Sequence, residues 1–83
     1  MDATLGYLRE SLANYYEKHE VCRRIYEKLE TNNYEGELQF VRDLDEVEIG
    51  YLNSILPKEI NYATKEQDPI RTSQLVEVYE LLF

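Results

Sequence analysis

Apolar residues recur with a helical period through most of the chain, and the pattern is strongest between Leu44 and Gln67. Leu52, Ile55, Leu56 and Ile60 follow one another at spacings of three, one and four, with Ile49 leading in, so an apolar stripe runs down one face of a long helix. Asp45 stands where an N-cap belongs, and Glu48 three residues later completes a capping box, in which each side chain accepts from the other residue's backbone amide. Leu44 before the cap and Ile49 after it suit a hydrophobic staple. The pattern predicts a central helix over residues 46–66. Within it, Pro57 has no amide hydrogen and its ring crowds the carbonyl of Asn53, which predicts a kink near Asn53 to Leu56, or failing that a break. A stripe of this length has to be covered by the rest of the chain.

Taken in order, Leu5, Leu8, Leu12, Tyr15 and Tyr16 mark a first helix with Thr4 at its N-cap. A second set, Val21, Cys22, Ile25, Tyr26 and Leu29, has its centre rotated from the first by roughly a quarter turn at about 100° per residue. The change falls between Glu17 and Glu20, where neither Gly nor Pro stands, so one bent helix and two helices with a short connection both remain open. Asn32 and Asn33 end this region, because short amides compete for backbone hydrogen bonds and tolerate the left-handed conformation. Gly36 then opens a short helix carrying Phe40, Val41 and Leu44. Asp68 and Pro69 form an N-cap with proline at the first helical position, followed by the apolar face Leu75, Val78, Tyr79 and Leu82. No segment alternates with period two for long enough to make a sheet, and neither a repeat nor a low-complexity stretch is visible. The fold class expected is all-α, a single helical domain over 1–83 built as a small bundle of three to five helices around the central one.

Length and charge narrow the partners. A chain of 83 residues buries about two thirds of its unfolded surface, and a core of that size supplies about 5 kcal/mol net at most. Association with a protein partner or with a second copy, a dimer included, would therefore add materially to stability. The balance of 17 acidic against 9 basic residues gives a net charge of -8, which repels nucleic-acid phosphates and anionic membrane surfaces. No apolar run approaches the roughly 18 residues that a membrane span requires. One cysteine excludes an internal disulfide, and Met1 to Leu8 lacks the basic and apolar blocks of a secretory signal, so the expected setting is a reducing cytoplasm.

The candidate chemistry is thin. His19 and Cys22 stand three apart, a spacing that suits two zinc ligands, but the chain holds no other Cys or His to complete a site. The same two residues have no third group to orient them as base and nucleophile. Asp43 and Asp45 match the first two ligand positions of a calcium loop, but Val47, Glu48 and Ser54 occupy the fifth, sixth and twelfth, so helix capping explains the cluster better. Arg23, Arg24 and Lys28 read as a solvated helix face with the i,i+4 pairs Glu20 to Arg24 and Arg23 to Glu27. Three glycines, none after a strand, make no phosphate loop. No enzyme, cofactor or metal is expected on these grounds. Eight tyrosines and no tryptophan are the oddity: tyrosine borders small cores and is enriched at protein interfaces. The interaction surface expected comprises Tyr51, Tyr62, Tyr79, Leu81 and Phe83, since three adjacent apolar residues at the C-terminus cannot all face one core.

The opening run Asp2, Thr4, Leu5, Gly6, Tyr7, Leu8, Arg9, Glu10, Ser11, Leu12 carries a family likeness, together with Glu20 to Cys22, Phe40, Val41, Asp43 to Asp45, Lys58 to Ile60, Tyr62, Ala63 and Glu77 to Leu82. With these residues the chain resembles, nearly end to end, the small sigma-G-dependent, sporulation-specific proteins of endospore-forming bacilli. That family is called CsgA and shares only a name with the curli subunit. The resemblance implies production in the forespore and grouping with the small acid-soluble spore proteins, and it assigns no catalytic or ligand-binding residue. The DNA-coating role of the major acid-soluble proteins does not carry over, because a chain of net charge -8 lacks a basic stripe to displace counterions. The function expected is a protein interaction module of late sporulation. The other readings are an acidic mimic of nucleic acid that occupies a DNA-binding protein, and a passive, degradable spore store.

Overall fold

A computed structural model describes residues 3–82, with side chains from Leu5 onward. Among the described residues the fold is five α-helices and no strand: α1 (Ala3–Ala13), α2 (Glu20–Thr31), α3 (Glu37–Arg42), α4 (Glu46–Lys65) and α5 (Pro69–Leu81). The all-α bundle expected from the periodicity is the architecture observed. One core joins Leu5, Leu8 and Leu12 of α1 to Cys22, Ile25 and Leu29 of α2, Phe40 of α3, Leu52 and Leu56 of α4, and Leu75 and Val78 of α5, all fully buried. The longest helix, α4, packs on α5 and α2, while α5 also packs on α1 and α3 and so shares the central place.

The start of α4 forms as its sequence requires. The Glu48 amide donates to Asp45 Oδ1 at 2.8 Å and the Asp45 amide to Glu48 Oε1 at 2.9 Å, closing the capping box. The helix then runs through Pro57 unbroken to Lys65, which settles the expected kink or break against a break. Its end is a Schellman turn, with Gln67 N–H on Thr64 O at 3.1 Å and Asp68 N–H on Ala63 O at 3.0 Å. This places Gln67 in the left-handed region at φ 58, a position that glycine usually fills. Asp68 caps α5 by accepting from the Arg71 amide at 3.1 Å, and Pro69 follows at the first turn.

Four expectations need correction. The helix α1 is already formed at Ala3, so Thr4 lies inside it instead of capping it. It ends at Ala13, which leaves Tyr15 and Tyr16 in a turn closed by Tyr15 N–H on Leu12 O and His19 N–H on Tyr15 O, so a short connection separates α1 from α2. Asn32 does end α2, but in extended conformation at φ -97, with no left-handed residue involved. Leu44 falls beyond the end of α3 and enters the core from the turn that leads into Asp45.

Candidate functional site

Two glutamates of α4 are buried, Glu48 at 1% exposure and Glu59 at 8%, and they organise the polar chemistry of the molecule. Both stand on the apolar side of the helix, Glu48 four residues before Leu52 and Glu59 three after Leu56. A carboxylate placed there loses hydration and must be repaid by partners.

Glu48 is fully supplied. Its Oε1 accepts from Lys28 Nζ at 2.8 Å and from the Asp45 amide, and Arg24 Nε lies 3.6 Å from Oε2. Arg24 Nη2 also donates to Asp45 Oδ2 at 3.1 Å, and Lys28 Nζ to the Asp43 carbonyl at 2.7 Å. The Tyr34 hydroxyl extends the network by donating to Asp43 Oδ2 at 2.6 Å while accepting from Asn32 Nδ2 at 2.9 Å. Burial, followed by the bond to Asp43, pushes that hydroxyl above the ordinary tyrosine range. The ion pairs of Arg24 and Lys28 thus cross from α2 to the start of α4, which corrects the expected pairing of Arg24 with Glu20 along its own helix, while Arg24 itself stays exposed as read. Arg23 stays at the surface, over the Tyr16 ring at 5.5 Å. The acidic cluster from Asp43 to Glu48 serves as helix cap and ion-pair partner.

Among the described residues Glu59 is supplied by one side-chain bond. The Tyr15 hydroxyl, brought in by the turn after α1, donates to Glu59 Oε2 at 2.8 Å. That bond first, and burial second, push the Tyr15 hydroxyl up to about 12. The second oxygen, Oε1, has no hydrogen-bond partner and no cation beside it among the described residues, yet it is not sealed from solvent. Glu59 lines a partly enclosed pocket of about 230 Å³ with Asn14, Tyr62, Ala63, Glu66 and Arg71. Arg71 comes from α5 and is already neutralised, by Glu10 at 2.7 Å and Asp68 at 3.7 Å, with its guanidinium 5.7 Å from the centre of the Tyr7 ring. A third, longer contact at 3.5 Å reaches the hydroxyl of fully buried Ser11. Tyr62 stands over this end of α4 with 60% of its surface exposed.

The residues expected to form an interaction surface are thus in different situations. Tyr62 is open to solvent, whereas Tyr51, Tyr79 and Leu81 are partly buried against the core, and Phe83 lies outside the described residues. The Tyr51 hydroxyl is sealed beside the Cys22 thiol, with no hydrogen bond of ordinary geometry among the described residues, and burial, then interaction with that thiol, raise it far above the ordinary range. Cys22 itself is fully buried, donates to the Leu12 carbonyl at 3.3 Å, and is pushed up by burial, which keeps it protonated and unreactive. His19 stands exposed at the start of α2 with its ring 5.8 Å from that of Tyr51. Among the described residues no three His, Cys, Asp or Glu side chains are grouped to hold a metal ion, and no helix is long and apolar enough to cross a membrane. Sequence reasoning passed over Glu59 and Arg71. The signal for Glu59 was present, a charge standing on an otherwise apolar stripe between Leu56 and Ala63.

A family model described as "Minor curli fiber component A", CsgA, matches residues 1–83. This chain belongs to the CsgA family. Among the described residues the chain has helices and no strand, in keeping with the spore-protein resemblance. A relative from Bacillus subtilis (strain 168), described as a sigma-G-dependent sporulation-specific SASP protein, is 56% identical over 82 residues, 99% of this chain and 99% of its own. The likeness associates this member of the family with sporulation. No solved structure matches.

Proposed function

We propose that this chain is a non-enzymatic helical binding module of the forespore cytoplasm, carried into the spore core, and that it contacts a protein partner through the surface around Tyr62. One observation carries the reading: a tyrosine with 60% of its surface exposed borders a pocket in which a buried carboxylate has an unused oxygen. The net charge of -8 favours a basic partner and adds long-range attraction to the encounter. The spore setting rests on the relationship to the sporulation-specific protein. The pocket offers no nucleophile with a base to activate it, which is why an enzymatic role is not proposed.

The test is crosslinking and affinity capture of a tagged copy from sporulating cells, quantified against an untagged control and a Tyr62→Ala bait. The expected result is one near-stoichiometric partner that the Tyr62→Ala bait fails to hold. Recovery of no partner, with a monomer at every accessible concentration, contradicts the reading. The same charge supports a second reading, an acidic mimic of nucleic acid on a DNA-binding protein; capture in that case falls steeply as salt rises. A passive store instead predicts no partner and rapid loss of the protein on germination.

A further inference from the structure

We propose that the pocket between the turn after α1, the C-terminal half of α4 and the start of α5 is a socket for the guanidinium group of an arginine side chain on the partner. The inference rests on the binding-module reading and names the chemistry of its contact.

The argument starts from the imbalance at Glu59. The residue is nine-tenths buried and lines the pocket, one of its oxygens is held by Tyr15, and the other makes no hydrogen bond or ion pair among the described residues. A desolvated carboxylate is stable only when its charge is answered, and a nearby arginine, Arg71, is already answered by Glu10 and Asp68. Glu66, the C-cap of α4 and two helical turns beyond Glu59, lines the same pocket and makes no ion pair among the described residues. The unbalanced charge of the pocket is therefore negative, and its occupant is a cation.

The surroundings select the kind of cation. The ligand set is too small for a metal centre among the described residues. Tyr62, one turn from Glu59 on α4, supplies an aromatic face with most of its surface free. A flat, weakly hydrated guanidinium can lie against a tyrosine ring and donate from its edge to separate acceptors, here the Glu59 and Glu66 carboxylates and the side-chain oxygen of Asn14. A compact, strongly hydrated ammonium serves this geometry less well. The pocket volume of about 230 Å³ admits the head group with part of its stem, and the open side leaves the rest of a partner outside.

The experiment is a heteronuclear NMR titration of the full chain with N-acetyl-arginine amide, run beside the citrulline compound, its neutral isostere. The arginine compound is expected to shift Asn14, Tyr15, Glu59 and Tyr62 saturably, and the citrulline compound to bind at least about tenfold more weakly, since hydrogen bonds to a charged group are the stronger kind. Glu59→Gln should cost about tenfold or more in arginine affinity while keeping the wild-type spectrum elsewhere. The exposed position of Tyr62 makes Tyr62→Ala a second variant that does not threaten folding, with a loss of several-fold expected. No saturable shift at these residues, or equal binding of both compounds, overturns the socket. In the capture experiment, a partner held equally by the wild-type and Glu59→Gln baits also overturns it while leaving the binding-module reading standing. Absence of any partner contradicts that broader reading instead.

Discussion

The two ends of α4 treat a buried glutamate in opposite ways. At the N-terminal end Glu48 closes a capping box and meets Lys28 and Arg24, so the charge that burial isolates is answered within the fold. At the C-terminal end Glu59 receives one tyrosine hydroxyl and opens onto a pocket. The backbone repeats the contrast, with a fully capped start against an end that places Gln67 at φ 58. Satisfied polar groups fix a structure, and a group left with unused capacity is available to something outside it. On this account the Glu48 end holds the bundle together and the Glu59 end recognises.

The largest effect expected is from Glu48→Ala, which removes half of the capping box and strands Lys28. The loss should be about 3 kcal/mol, the low end for breaking a buried pair because Lys28 keeps some water, read as a fall in the urea midpoint. A loss below about 1 kcal/mol would mean that the network is ornamental. Tyr15→Phe, which removes the one side-chain bond to Glu59 among the described residues, should cost about 1–2 kcal/mol by the same assay. It should also remove one tyrosine from the delayed part of the alkaline absorbance titration, to which the raised hydroxyls of Tyr34 and Tyr51 still contribute. The sign follows from the folded value of about 12 against the ordinary 10.0: the contribution of the Tyr15 bond is intact below pH 10 and is lost as pH rises through 12. A Tyr15→Phe titration that matches the wild type would detach Tyr15 from Glu59.

Gln67→Gly relieves the left-handed residue at the end of α4 and should raise stability by about 1 kcal/mol, seen as a higher melting temperature. A decrease would show that the Gln67 side chain stabilises the turn by more than its backbone costs. Smallest of all, Tyr51→Phe deletes a sealed hydroxyl that makes no hydrogen bond of ordinary geometry among the described residues, and stability should stay within about 0.5 kcal/mol of wild type or rise slightly. A loss above about 1 kcal/mol would assign that hydroxyl a bond to the Cys22 thiol.

What the sequence made legible was local. The capping box at Asp45, the proline start of α5 and the short helix after Gly36 depend on residues three or four apart, and each stands where the pattern placed it. What it hid depends on distance along the chain. Tyr15 leaves the helical pattern in a turn where its hydroxyl meets a carboxylate 44 positions away, and no Gly or Pro announces the departure. Arg24 had an acceptable partner, Glu20, four residues off, and Lys28 was read with it as one solvated face, so the bridge from both to Glu48, 24 and 20 positions on, was concealed. Of the candidate site, Tyr62 was named from composition and position. Glu59 was passed over because an apolar stripe was read for its apolar members alone, when the charge embedded in it was the more informative residue.

The most direct test of the division between the two ends is urea unfolding of Glu48→Gln and Glu59→Gln side by side with the wild type. Each variant keeps the size of the side chain and removes only its charge. The account predicts a loss of about 2 kcal/mol or more for Glu48→Gln, where two cations lose their counter-charge, and a change within about 0.5 kcal/mol for Glu59→Gln, where an amide oxygen can still accept from Tyr15. Equal losses, or a larger loss at Glu59, would make both glutamates part of the scaffold and contradict the claim that one end of α4 is kept free for recognition.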